Sequence, residues 1–301
     1  MLDGRTLLLG ATGRLGKRFY EDQKEPPLAP TRKELDLTDF AKLREYILDL
    51  KPALIINCAA MNGLEACETR PDLAFAINTQ APATMAAAAH VYGATFVHFS
   101  TDYAAVGEET STDAQRVSWL AYGTSKRLGE IAIASAALDN YLIFRVSSIY
   151  DSADMGGALD AVRQWNAQKG TLAAPIKVLR QLTTPISTRT IVEKTNEALK
   201  GFREGPSRYT GLYNLVTSDP EWKTDFALEA LRLFANVESV ALTTGTLALP
   251  RPWVSVLPND AFTSTFCDLP TALEDLQTEY ERWQTDQSCQ TSHSPSPESP
   301  P

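Results

Sequence analysis

Tyr122 and Lys126 stand four residues apart in the run Tyr122-Gly123-Thr124-Ser125-Lys126, so on a helix both side chains project from one face. A free phenol ionises near pH ~10 and is a poor acid-base group at neutrality, whereas a fixed ammonium a few ångströms away favours the phenolate. The expected effect is a tyrosine shifted toward the working range. Thr101, in Ser100-Thr101-Asp102-Tyr103, can donate or relay a hydrogen bond to a carbonyl oxygen and polarise it. Together the three side chains suit proton delivery to a ketone under hydride attack, with Tyr122 the donor. Tyr103, Tyr150, His90 and His98 are alternative acid-base groups, but none has a lysine four residues on. An Ala-rich helix and an alternating strand are bland settings for the two histidines.

Hydride chemistry needs a dinucleotide, and Gly10-Ala11-Thr12-Gly13-Arg14-Leu15-Gly16 supplies a loop for one. The glycines let the backbone turn tightly and approach a pyrophosphate, whose charge then sits on the free N–H groups of a helix N-terminus. Gly10, Thr12, Gly13, Arg14, Leu15 and Gly16 are therefore cofactor candidates, with Leu15 directed to the core. The spacing G-x-x-G-x-x-G, rather than G-x-G-x-x-G, points to reductases built on a single Rossmann domain. A second strand is expected to end near Ala29-Pro30-Thr31-Arg32-Lys33. There Thr31 leaves room for a 2′-phosphate and Arg32 offers charge, which favours NADP over NAD; a solvated turn is the alternative. Asp36, with Leu37 beside it, is placed at the adenine end, where its carboxylate would accept from the amino group. The alternative is an ordinary acidic residue ahead of a helix. Lys126 would also hold the nicotinamide ribose.

These groups need rigid supports. Strands are expected over residues 6–9, 53–57, 95–99 and 141–146, and helices over 38–50, 71–92 and 122–137. In the first of these helices Phe40, Leu43, Ile47 and Leu50 recur at helical spacing, with Thr38 as N-cap and Pro52 closing the segment. The alternation predicts an α/β fold, a Rossmann-type doubly wound parallel sheet. After Tyr150 the pattern loosens, with strand-like pieces at 176–178 and 211–216. A smaller, partly discontinuous α/β substrate lobe over residues 151–285 is expected. The dinucleotide-binding domain, residues 1–150, is then rejoined by about 180–210, where Pro185 to Lys200 reads as a strand-to-helix return. Residues 286–301 form a Ser/Pro-rich tail without an apolar stripe, which predicts disorder.

A formal charge of −9 argues against a nucleic-acid partner, which needs clustered Lys and Arg. Cys58, Cys67, Cys267 and Cys289 form no C-x-x-C pair and read as reduced thiols in a cytoplasmic protein. Leu7-Leu8-Leu9 is too short for a signal peptide core, and residues 81–99, interrupted by His90 and Gly93, do not read as a membrane span.

With these residues assembled, the chain resembles the extended short-chain dehydrogenases/reductases, and within them the dTDP-4-dehydrorhamnose reductase family, from about Leu7 to Leu276. The resemblance rests on the glycine loop, Glu34 to Asp39, Ile56-Asn57-Cys58-Ala59-Ala60, Ala76-Ile77-Asn78, Ser100 to Tyr103, Tyr122 to Lys126, Gln181 to Ser187, Gly211 to Asn214 and Arg251-Pro252. It implies reduction of the 4-keto group of a nucleotide-linked deoxy sugar by Thr101, Tyr122 and Lys126. It also implies that Cys58, Ala59, Ala60 and Asn78 lie along the cofactor, and it allows a homodimer. A non-catalytic dinucleotide-binding subunit of a partner enzyme, and an epimerase or dehydratase, are the alternatives. The chain departs from the family in four places. Ala104-Ala105-Val106-Gly107 replaces Val-Phe-Asp-Gly, Ser148 stands where a Trp borders the sugar, and Val254 where Asn follows the Arg-Pro pair. Arg18 replaces a glutamate that some members use as a magnesium ligand, so no metal is expected there.

Overall fold

The computed structural model describes residues 5–23, 25–105, 120–151, 157–168, 174–179, 181–204, 210–216, 221–237, 242–244, 254–255, 257, 274 and 276–282. The chain opens with β1 (Thr6–Leu9) and α1 (Arg14–Glu21), followed by α2 (Phe40–Leu50) and β2 (Leu54–Asn57). Next come α3 (Leu64–Thr69), α4 (Pro71–Phe75), a π-helical turn (Ala76–Gln80) and α5 (Ala81–Tyr92). The strand β3 (Thr95–Thr101) runs into a 3-10 turn (Asp102–Ala104), and α6 (Ala121–Ala134) precedes the long β4 (Tyr141–Tyr150). Then follow α7 (Gly157–Ala167), β5 (Ile176–Val178), β6 (Leu182–Thr183), β7 (Pro185–Ser187) and α8 (Thr188–Glu204). The last elements are β8 (Gly211–Asn214), β9 (Glu221–Trp222), α9 (Lys223–Ala235), β10 (Leu242–Thr244) and β11 (Val254–Ser255).

The main sheet is parallel, in the order β1-β2-β3-β4, and β4 is long enough to pair twice on its far edge. Its first half pairs with β8 and its second half with β7. Period-two alternation sorts the core onto two faces. Leu8, Leu54, Ile56, Val97, Phe99, Leu142 and Phe144 pack under α1 and α8 with Phe19, Ile191 and Leu199. Leu7, Leu9, Ile55, Phe96 and Ile143 face the opposite way, onto Leu43 and Ile47 of α2 and the alanines of α5. Helices thus cover both faces, the expected doubly wound arrangement. A separate apolar cluster joins α7, α9 and β5 through Val162, Phe226, Leu231 and Ile176.

Four details differ from the sequence expectations. The second strand shrinks to one bridge, in which Leu28 exchanges hydrogen bonds with Thr6 and Leu8 of β1; Pro26, Pro27 and Pro30 around it have no N–H to continue the ladder. The N-cap of α2 is Asp39, whose carboxylate accepts from the Lys42 N–H, while Thr38 bonds to Asp36 instead. The Tyr122 helix ends at Ala134, three residues before the expected end, and Ala137 takes a positive φ of 54°. Gly211 to Asn214, expected in the smaller lobe, lies in the main sheet against β4. Residues 286–301 and the Arg251-Pro252 pair lie outside the described residues.

Candidate active site

The glycine loop links β1 to α1. Gly10 has φ 80°, a left-handed conformation that a side chain strains, and a Cβ there would meet the Ala59 backbone nitrogen at 2.6 Å. A Cβ on Gly16 would run into the Gly10 carbonyl, so that glycine lets α1 close onto the loop. Gly13 caps α1 with no side-chain hydrogen bond, and the first turn carries no acidic residue. A helix N-terminus whose N–H groups have no side-chain acceptor, beside a loop pressed to backbone contact, fits a pyrophosphate. Arg14 reaches from that turn to the Ile149 carbonyl at 2.6 Å, and Leu15 is buried in the core as expected.

At the adenine end, Arg32 is exposed and Asp36 and Leu37 are partly buried. The Asp36 carboxylate accepts from both the N–H and the hydroxyl of Thr38 at 2.9 and 2.8 Å. These bonds, and more weakly the Arg32 charge, hold its pKa below the ordinary value. Glu34, which the sequence reading left without a role, caps the Thr31 turn through the Thr31 N–H and hydroxyl.

Cys58, Ala59 and Ala60 follow β2, and Asn78 lies on the π turn. Asn78 is fully buried. Its carbonyl oxygen accepts from Met61 N, and its amide group donates to the Met61 carbonyl and to Ser125 Oγ. Thr79 also bonds to the Ser125 carbonyl. The π turn therefore clamps the loop after β2 to the helix bearing Tyr122, and Gly129 permits the approach because a Cβ there would strike the Asn78 carbonyl.

Thr101 ends β3, and Tyr122 sits in the first turn of α6. Tyr122 lies beside Thr101 and meets Tyr103 edge-on, with ring centroids 5.9 Å apart. The Thr101 hydroxyl directs its one proton to Asp102 Oδ1 at 2.8 Å. The other Asp102 oxygen accepts from Ser147 Oγ, which meets Thr183 Oγ1, and Ser148 Oγ meets the same threonine at 2.9 Å. A buried chain of hydroxyls about one carboxylate thus stands behind Thr101. It was not evident in the sequence, because β3, β4 and β6 meet only in the fold. Ser148 has φ 41° at the register shift of β4.

Lys126 is buried, and its Nζ donates to the Phe99 carbonyl at 2.6 Å and meets His98 Nε2 at 3.3 Å. This corrects the expectation that its charge eases ionisation of Tyr122. Burial pushes the Tyr122 phenol well above its ordinary value, the neighbouring Thr101 hydroxyl opposes this only in part, and Asp102 pushes the same way. Burial likewise pushes Lys126 down to about 8, against smaller opposing effects of Glu130 and Cys58. Tyr122 is consequently a protonated phenol at neutral pH, the form that donates. Cys58 is held as a neutral thiol by burial.

Of the positions departing from the resemblance, Ala104 is buried and Ala105 partly so, while Val106 and Gly107 lie outside the described residues. Arg18 bonds to Asp22 at 2.9 Å and faces the buried Glu279. Among the described residues no cluster of His, Cys, Asp and Glu could hold a metal ion, and no helix is long and apolar enough to cross a membrane.

The comparisons with known proteins agree with this arrangement. A dTDP-4-dehydrorhamnose reductase of Streptomyces griseus is 28% identical over 260 residues, covering 83% of each chain. A probable low-salt glycan biosynthesis reductase of Haloferax volcanii is 27% identical over 266 residues, 84% of this chain and 85% of its own. The crystal structure of a dTDP-4-dehydrorhamnose reductase from Bacillus anthracis in complex with NADP superposes with a TM-score of 0.79 at 22% identity, over 93% of this chain and 100% of that one. That last likeness concerns the fold. Residues 4–283 match the family model described as RmlD substrate binding domain, and the chain therefore belongs to that family, within the extended short-chain dehydrogenases/reductases.

Proposed function

We propose that the protein is a cytoplasmic reductase that uses NADPH to reduce the 4-keto group of a dTDP-linked 6-deoxy sugar. The observation that carries this reading is the juxtaposition of Tyr122 with Thr101 at the carboxyl end of β3, with Lys126 one turn further along α6. Ligands of open α/β sheets bind beyond that edge. NADPH supplies the hydride when bound. Gly10, Thr12, Gly13, Arg14, Leu15 and Gly16 hold its pyrophosphate, Arg32, Asp36 and Leu37 its adenosine end, and the segment Cys58-Ala59-Ala60, braced by Asn78, its length. Tyr122 gives its proton to the carbonyl oxygen as the new C–H bond forms, and the resulting phenolate regains a proton from solvent. Lys126 supports that phenolate, and Thr101 orients the phenol. A smaller lobe from α7, β5, β9, α9 and β10 closes over the sugar. Gln181 Nε2 and Thr184 Oγ1, buried without a hydrogen-bond partner among the described residues, are candidates for its hydroxyls.

Val91 on α5 and Leu128 and Ile131 on α6 are exposed apolar residues on two helices that pack side by side. We assign this face to a homodimer, and Ile131→Lys should then give a monomer in sedimentation. The activity is tested by incubating the protein with NADPH and dTDP-4-keto-6-deoxy sugars. Cofactor oxidation with formation of the 4-hydroxy sugar is the expected result. No turnover on any of them, together with stoichiometric recovery of a partner enzyme in a pull-down, would replace it with the binding-subunit reading.

A further inference from the structure

His98 lies in the middle of β3 with no exposure to solvent, and the reaction as described makes no use of it. Its two ring nitrogens have different neighbours: Nδ1 is 3.1 Å from Asn57 Nδ2, and Nε2 is 3.3 Å from Lys126 Nζ. The Asn57 amide is oriented independently, because its oxygen accepts from the Ala59 N–H at 3.1 Å and a backbone N–H can only donate. The Asn57 NH2 group therefore faces His98, and it too can only donate. Nδ1 must be the acceptor, so the proton of a neutral ring sits on Nε2 and points at Lys126.

An ammonium has three donors and no lone pair, and it would set N–H against N–H at Nε2. An amine gives one proton to the Phe99 carbonyl and accepts from His98 with its lone pair, which satisfies every group. We propose that His98, with its tautomer set by Asn57, is a positioning residue for Lys126: its Nε2–H receives the amine form of the lysine and seats it against the Phe99 carbonyl. Lys126 then has two protonation-linked states. As an amine it is docked on β3; as an ammonium it loses the His98 bond and is released toward Tyr122.

The other groups facing Lys126 leave this decision to His98. Cys58, after β2, is a neutral thiol. Glu130, one turn on along α6, is held by Arg145 of β4 through two hydrogen bonds at 3.0 and 2.8 Å, so its pull on Lys126 is shared. Tyr122, one turn before, is a neutral phenol. Burial lowers the proton affinity of both His98 and Lys126, which favours the neutral pair above about pH 8. The catalytic meaning of the switch rests on the reading of Lys126 as the partner of Tyr122; the tautomer and the amine do not.

Nitrogen-15 NMR of the full chain labelled at histidine reads the tautomer directly. The His98 signal is recognised by its loss in His98→Phe, or, if that variant does not fold, as the signal that remains when His90 and His293, the two other histidines of the chain, are replaced by glutamine. The expected result is the Nε2–H tautomer at neutral pH. An Nδ1–H ring or an imidazolium overturns the proposal. Carbon-13 NMR at the lysine side chains then follows the Lys126 titration. Asn57→Asp, whose carboxylate can only accept a hydrogen bond from Nδ1–H, should turn the ring to Nδ1–H and raise the Lys126 midpoint by roughly one unit or more. In Asn57→Asp/His98→Phe most of that rise should vanish, and an undiminished rise would mean that the carboxylate acts through space and not through His98. Neither readout depends on turnover, so a protein inactive toward keto-sugars would overturn the proposed function and leave this inference standing.

Discussion

Lys126 Nζ donates to the carbonyl oxygen of Phe99 at 2.6 Å, and Phe99 lies two residues before Thr101 on the same strand. The lysine of α6 is thereby tied to the strand that presents the threonine, and one turn earlier on the same helix Tyr122 lies beside that threonine.

The buried lysine makes stability depend on pH in a defined direction. Lys126 is pushed down to about 8 in the folded chain from an ordinary 10.5, so between these values the unfolded chain binds more protons and stability rises with pH. Below about pH 8 the cost of the buried ammonium is fully present; above about 10.5 it is gone. Urea unfolding should show the wild type gaining about 3 kcal/mol relative to Lys126→Met across that window. A parallel pH dependence of the two proteins would contradict the assignment.

Glu130 and Arg145 are both buried and joined by two hydrogen bonds. Removing one partner of such a pair strands a buried charge, at a cost of roughly 3–5 kcal/mol. Arg145→Met should lower thermal stability by that amount, and Arg145→Met/Glu130→Leu should recover much of it. Calorimetry on the two variants distinguishes the stranded charge from lost packing.

The close approach at the glycine loop predicts a binding defect. In Gly16→Ala the new methyl meets the Gly10 carbonyl, so α1 must shift away from the loop and the cradle opens. NADPH affinity measured by fluorescence titration should fall at least about tenfold, equivalent to ~1.4 kcal/mol. Unchanged affinity would place the pyrophosphate elsewhere.

The C-terminal segment is anchored by charge. Glu279 is fully buried between Arg18 of α1 and Arg189 of α8, at 3.8 and 3.6 Å. Glu279→Gln should loosen residues 276–282, seen as faster amide hydrogen exchange there and in α1, while the sheet stays protected.

Much of this architecture was legible in the sequence because it is written in local periods. The glycine loop, Thr101, Tyr122 and Lys126 could be placed on a strand end and a helix from spacing alone. What failed depends on partners distant in the chain. Gly211 to Asn214 reads as a strand, but nothing local says that it pairs with β4. His98 reads in the sequence only as an alternative acid-base group, set aside as a histidine of an alternating strand; every residue of β3 is in fact buried, so alternation along the strand carries no information about which side chain does chemistry. The i, i+4 spacing placed Tyr122 and Lys126 on one helical face, yet it does not determine where a four-carbon stem ends. The stem ends at Phe99, and the phenol is consequently pushed up rather than down. The Asp102-Ser147-Thr183 hydroxyl chain joins three separate strands or strand ends and has no sequence signature.

The central claim is that the protonated Tyr122 phenol delivers the proton that completes ketone reduction. Single-turnover oxidation of NADPH by the enzyme saturated with a dTDP-4-keto-6-deoxy sugar measures that step apart from binding. Tyr122→Phe should retain NADPH affinity and lose roughly 10²- to 10⁴-fold in the rate of hydride transfer. A Tyr122→Phe enzyme that transfers hydride at the wild-type rate would contradict the account.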